Sequence, residues 1–224
     1  MIAIICAMDK ELQYFTEALE NMTVHDVFGY HFLEGTINGK RAVIVKCGIG
    51  KLQAGIVTML LIEHFQPTIV INSGVAGGYD KTLKECDIVC ATKTSAYDVD
   101  FTAEGLPLGS LNGEERFVAQ DIQLADVSGF NIRYGLILSA DTFATNREHL
   151  DNIINTYYSD ETVLAIDMES AAVARVCEEQ KTPWCIIRSI SDVIGNPVQV
   201  NSYEHFAPIA AQNAFKLIIQ NYFK

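Results

Sequence analysis

Seven apolar runs recur along the chain, IAIICA, RAVIVKC, TIVINSG, DIVCATKTSAY, RYGLILSAD, TVLAID and PWCIIRSIS, and no other feature restricts its fold as much. Rich in Val and Ile, and mostly bounded by Gly, Asn, Asp or Pro, they read as strands. Between several of them lie helical patterns. KELQYFTEALE sets Leu12, Phe15 and Leu19 at helical spacing, and GKLQAGIVTMLLIEHF follows a glycine turn. Strands alternating with helices predict an α/β chain, a single layered domain over residues 1–224 with a central mixed β-sheet flanked by helices. No repeat or linker divides it, and a chain this long can bury roughly 70% of its unfolded surface without staples. The one long irregular stretch runs from about Asp98 to Gln120, and long loops often serve as lids or interface elements.

The charge balance narrows the partners. With 16 basic against 28 acidic residues the formal charge is -12, which repels nucleic acid and anionic membrane surfaces. The N-terminal MIAIICAM lacks a basic leader and meets Asp9 and Lys10 too early for a signal peptide or a membrane span, so the expectation is a cytoplasmic protein. Cys6, Cys47, Cys86, Cys90, Cys177 and Cys185 lie mostly inside apolar runs, without a CxxC pair or a His at ligand spacing, and read as reduced buried thiols. No metal and no cofactor is expected, and the scattered histidines form no triad.

Charges in improbable places mark the candidate site. Alternation along WCIIRSISD points Ile186, Arg188, Ile190 and Asp192 to one face, where desolvation of charge is expensive. Glu11 and Glu169 follow other strand-like runs, and residues at the carboxyl ends of strands gather in the ligand crevice of α/β proteins. Each also has a plainer reading. Glu11 stands where any helix prefers an acid, Glu169 could answer a helix dipole, and Asp192 could cap a helix or pair structurally with Arg188. If a helix starts near Met168, Glu169 stacks over Ala172, Val173 and Val176 on its buried stripe. CGIGK satisfies neither a dinucleotide fingerprint nor a phosphate-binding loop, because Gln53 and Leu52 occupy the required positions, and reads as a tight strand-to-helix turn. INSGVAGG reads either as a loop offering backbone N–H groups through Val75, Ala76 and Gly77 or as a plain turn.

Taken in order, AMDKE, CGIGK, INSGVAGG, SADTF, DMESAAVA and RSISD resemble the segments that mark bacterial 5'-methylthioadenosine/S-adenosylhomocysteine nucleosidases, over nearly the whole chain. The resemblance implies a nucleoside phosphorylase/hydrolase-like fold, a homodimer, and cleavage of the bond from adenine N9 to ribose C1'. Glu11 then resembles the base that activates water and Asp192 the acid that protonates adenine N7. Glu169 matches the carboxylate holding the ribose hydroxyls, with Met168 against the sugar and Arg188 fixing water and acids. Phe143 is similar to the ring stacked on adenine, and the backbone of Ala144 to the group reading the purine edge. Met8, Ile49, Phe101 and Tyr203 match positions around the sugar and 5' substituent.

Two departures stand out. Val75 occupies a position where the family often has Ser or Thr supporting the catalytic aspartate, so Asp192 needs other partners; its pKa must also rise against the lowering effect expected of Arg188. A partner-chain loop that usually reads like DVTAFGY is here DFTAEGL, with Glu104 and Leu106 in a more polar 5' pocket. The choice among methylthioadenosine, adenosylhomocysteine and 5'-deoxyadenosine stays open. So do a phosphate-dependent purine nucleoside phosphorylase, although Met8, Asp9 and Val75 stand where a basic phosphate cradle belongs, and a non-catalytic nucleoside-binding protein.

Overall fold

The computed structural model describes residues 1–111 and 113–224. All seven apolar runs are strands: β1 (Ile2–Cys6), β4 (Lys40–Lys46), β5 (Ile69–Gly78), β6 (Ile88–Ala96), β8 (Ile132–Ser139), β9 (Val163–Asp167) and β10 (Trp184–Val193). Three more join them, β2 (Glu20–Val27), β3 (Tyr30–Ile37) and the two-residue β7 (Val118–Ala119). The helices are α1 (Asp9–Ala18), α2 (Lys51–Phe65), α3 (Arg147–Tyr157), α4 (Ser170–Glu179) and α5 (Gln199–Tyr222).

The sheet is mixed. β5 pairs in parallel with β1 and β10 and antiparallel with β9; β6 and β8 complete the circuit, so β5, β9, β8, β6 and β10 close on themselves. From β5 the sheet runs outward through β1 and β4 to the β3–β2 hairpin. Alternation decides which helix each strand residue meets. Ala3, Ile5 and Ala7 pack toward the core shared with α2 and α4, while Ile4 and Cys6 join Phe15 of α1 and Ala214, Leu217 and Ile218 of α5 on the opposite face. Fully burying one such isoleucine contributes about 1.5–3 kcal/mol. A third cluster holds Leu150 and Ile154 of α3 against Leu136 and Leu138 of β8.

Two local expectations change. INSGVAGG is not a loop: β5 continues to Gly78, because β10 and then β9 supply hydrogen-bonding partners to its glycines. On β10, Ile186 and Ile190 do share the α2/α4 face, but a bulge at Ser191 shifts the register, so Ile190 opposes Ala76 and Asp192 opposes Gly77. Adjacent strand residues face opposite ways, and an inserted residue therefore reverses the face that follows it. Asp192 lies on the face opposite Arg188, with its Oδ2 3.3 Å from the point a Gly77 side chain would occupy.

Candidate active site

A cavity of about 330 Å³ opens where β1, β5, β9 and β10 end. Strand ends leave backbone and side chains converging on open space, which is why sheets of this kind place ligands there. Twelve of the fourteen predicted residues line it: Met8, Glu11, Ile49, Val75, Ala76, Gly77, Phe143, Ala144, Met168, Glu169, Asp192 and Tyr203. Arg188 is wholly buried behind the wall, and Phe101 lies elsewhere.

Glu11 occupies the third position of α1. Its Oε2 accepts from the N–H groups of Ala7 and Met8, each at 2.9 Å, so it does cap its helix. Its Oε1 reaches across to accept from Val75 N at 3.0 Å. That reach depends on Gly74, where a Cβ would fall 2.7 Å from Glu11 Oε1 and closer still to Arg188 Nη1. Any side chain there would drive the acid and the guanidinium apart.

Arg188 collects the remaining charge. Its Nε donates to Asp167 Oδ2 at 2.7 Å, and its Nη2 donates to Asn72 Oδ1 at 2.8 Å and Glu169 Oε2 at 3.4 Å. Among the described residues Nη1 has no hydrogen-bond partner. Desolvation opposes the charged guanidinium, but Asp167, Glu169 and Glu11 outweigh it and hold its pKa above the ordinary arginine value. Glu169 precedes α4 rather than lying in its first turn, since the helix begins at Ser170. Asp167 answers the helix terminus instead, accepting from Ser170 N at 3.3 Å, which leaves Glu169 to take the Gly50 N–H at 2.9 Å. Gly50 has φ of 101°, a backbone state that aims this N–H across the turn and that a side chain would strain.

Burial pushes Glu169 up to about 7 against Arg188, with Asp167 and Glu11 adding to the rise. Glu11 is raised as well, by burial first, against Arg188 and the N–H groups of Val75, Met8 and Ala7. Asp192 differs. Burial is again the largest cause of its raised pKa, but the opposition comes from two neutral donors, Ser191 Oγ to Oδ1 at 2.6 Å and Gln199 Nε2 to Oδ2 at 2.8 Å. Neither the expected pairing with Arg188 nor its lowering effect is present, because the bulge separates them. The support lost at Val75 comes from these same two residues; Val75 instead packs against Ala207, Ala210 and Ala211 of α5.

Gln199 also donates to Ala144 O at 2.8 Å and accepts from Gly195 N at 3.0 Å, tying the Asp192 end to the Phe143–Ala144 wall. Across that wall, Phe143 meets the edge of Tyr203 with centroids 5.4 Å apart. Sequence reasoning missed Asp167, Ser191 and Gln199. Asp167 sits inside the DMES motif and Ser191 inside RSISD, so those motifs carried a signal for them; Gln199 had none short of the fold. Phe101, 42% exposed, precedes a 3₁₀ turn at Thr102–Glu104, and neither it nor that turn lines the cavity.

The model of the phosphorylase superfamily matches residues 1–222. A 5'-methylthioadenosine/S-adenosylhomocysteine nucleosidase from Psychromonas ingrahamii is 37% identical, over 97% of this chain and 96% of that protein. Among solved structures, the nucleosidase from Colwellia psychrerythraea in complex with adenine superposes with a TM-score of 0.88 at 33% identity, covering 97% of this chain and 92% of the other. Futalosine hydrolase of Helicobacter pylori superposes with a TM-score of 0.89 at 28% identity, covering 97% and 94%. The chain belongs to the phosphorylase superfamily and, within it, to the family of 5'-methylthioadenosine/S-adenosylhomocysteine nucleosidases.

Proposed function

We propose that this protein hydrolyses the N-glycosidic bond of 5'-substituted adenine nucleosides and releases adenine, with residues 1–224 acting as one nucleosidase domain. The observation that carries the reading is the convergence of Glu11, Glu169 and Asp192 on one cavity that also bears Phe143 and Met168. Purine departure leaves positive charge on C1' and negative charge on the base. Three carboxyl groups, Glu11, Asp167 and Glu169, gather around the guanidinium of Arg188, so the sugar end favours the positive charge that grows at C1'.

In this mechanism Glu169 accepts from the ribose hydroxyls and Met168 packs on the sugar. Glu11 takes a proton from the attacking water, and the unpaired Nη1–H of Arg188 helps to orient it. Phe143 stacks on adenine, the Ala144 backbone reads its edge, and Asp192 gives a proton to N7. Ser191 suits that task, since its hydroxyl also reaches Ala76 O at 3.3 Å. By donating there, it becomes an acceptor for protonated Asp192 and a donor again once the proton has left.

No Lys or Arg is among the cavity-lining residues, which disfavours a phosphate cradle. A purely binding protein would have no need of a water-activating base. Incubation with methylthioadenosine, with and without phosphate, tests the reading. Phosphate-independent release of adenine and free sugar is expected; strict phosphate dependence with ribose 1-phosphate as product, or binding without adenine release, overturns it.

The reading includes a cytoplasmic homodimer in which the 98–120 segment approaches the partner's pocket, giving Phe101 its place near the 5' substituent. Support comes from an apolar stripe on α2, where Leu52, Ile56 and Met59 are exposed, and from exposed Ile49 and Phe101. Among the described residues no helix is long and apolar enough to cross a membrane. Full activity from a monomer, sized by light scattering, contradicts the dimer.

A further inference from the structure

The first turn of α1 carries Asp9, Lys10 and Glu11, and Lys10 is the misfit: helix N-termini favour acids and repel cations. A local preference broken without local compensation points to a task elsewhere. Asp9 is paired with Lys46, at 2.8 Å. Within its own chain, and among the described residues, Lys10 has no carboxylate partner, although acids outnumber bases in this chain by 28 to 16. Its Nζ donates instead to Tyr203 Oη at 2.6 Å and lies 4.0 Å from the centre of that ring. Tyr203 in turn lines the cavity and directs its hydroxyl to Met8 Sδ at 3.4 Å. An ammonium has three N–H donors, and among the described residues one of them is used.

We infer that Lys10 selects substrates whose 5' substituent carries a carboxylate. The inference rests on the proposed nucleosidase reading. With adenine at Asp192 and the ribose at Glu169, the 5' substituent leaves along Met8 and Tyr203 and brings its far end to Lys10. A half-buried ammonium held in place by a tyrosine forms a charge-assisted hydrogen bond with such a carboxylate, whereas a methylthio group stops short and gains nothing. The interaction is remote from C1' and equal in ground and transition states, so it acts through KM.

Two thioethers of equal length separate charge from size: 5'-butylthioadenosine and 5'-(3-carboxypropyl)thioadenosine. The wild-type enzyme should favour the carboxylate. Lys10→Met should lose about tenfold in kcat/KM for it, through KM, and change the butyl substrate by less than about twofold, while Lys10→Arg retains the preference. Equal treatment of the two substrates by wild type, or the same factor lost on both in Lys10→Met, overturns the role of Lys10 while leaving the hydrolase reading intact. Failure to release adenine from either thioether while methylthioadenosine is cleaved also overturns the role of Lys10; failure on methylthioadenosine as well refutes the hydrolase reading, and the inference with it.

Discussion

The two ends of the cavity hold buried carboxyls by different means. At the end proposed to hold the sugar, Glu11 faces three backbone N–H groups and a full positive charge on Arg188; at the end proposed to hold the purine, Asp192 meets a serine and a glutamine and no cation. Burial raises both pKa values, so solvent exclusion alone does not assign their roles. The difference lies in what opposes it, since charge-assisted contacts stabilise a carboxylate more than neutral ones do. The end that keeps a cation favours an ionised base, and the end without one favours a protonated acid. Acid and base assignments follow from environments that push two titratable groups apart.

Exchanging charge for amide at each end should break the comparison most visibly. Asp192→Asn should lower kcat by about 10³ with KM little altered, and remove the basic limb of the pH profile. Glu11→Gln should cost about 10² and remove the acidic limb, because the base is active only when deprotonated. Steady-state kinetics across pH reads both effects. Loss of the opposite limb in either variant would reverse the assignment, and undiminished turnover in Asp192→Asn would end the role given to that acid.

Gln199 sharpens the comparison without touching either charge. Its amide favours ionised Asp192, so Gln199→Leu should raise the acid's pKa and move the basic limb up by about one pH unit. Because the same amide ties Asp192 to Ala144, kcat should also fall about tenfold. A fall in kcat with an unmoved limb would leave Gln199 only its positioning role.

What the sequence revealed depended on whether the relevant force was local. Runs such as IAIICA and TVLAID announced strands because Val and Ile favour pleated, buried surfaces, and those strands line the core. ENMTVHDV did not: most of β2 is exposed, and it is a strand because β3 pairs with it. Strand alternation placed Arg188 but not Asp192, since the bulge at Ser191 is set by register against β5. Glu11 and Glu169 were legible as candidates from their strand-end positions. That Asp167 would cap α4 and free Glu169 depends on β9 and β10 bringing Asp167 to Arg188, a pairing with no signature in either segment. Gln199, seven residues beyond Asp192, reaches it only because the chain turns through Gly195 before α5 begins.

The smallest expected effect concerns stability, and the Glu169→Gln variant isolates the sugar end's share of it. Glu169 titrates near 4.5 when unfolded and at about 7 in the fold, so between those values the native chain holds a proton that the unfolded chain has released. Its contribution is fully present below pH 4.5 and is lost as pH rises through about 7. The melting temperature of the wild-type protein should therefore fall across that window, with raised Glu11 and Asp192 pulling the same way. Glu169→Gln cannot titrate and should flatten the fall by roughly 7 °C, whatever constant offset the substitution introduces. Calorimetry on both proteins gives the slopes. Parallel curves would mean that Arg188 keeps Glu169 ionised throughout, and that the sugar end carries one more fixed negative charge toward C1' than its raised pKa implies.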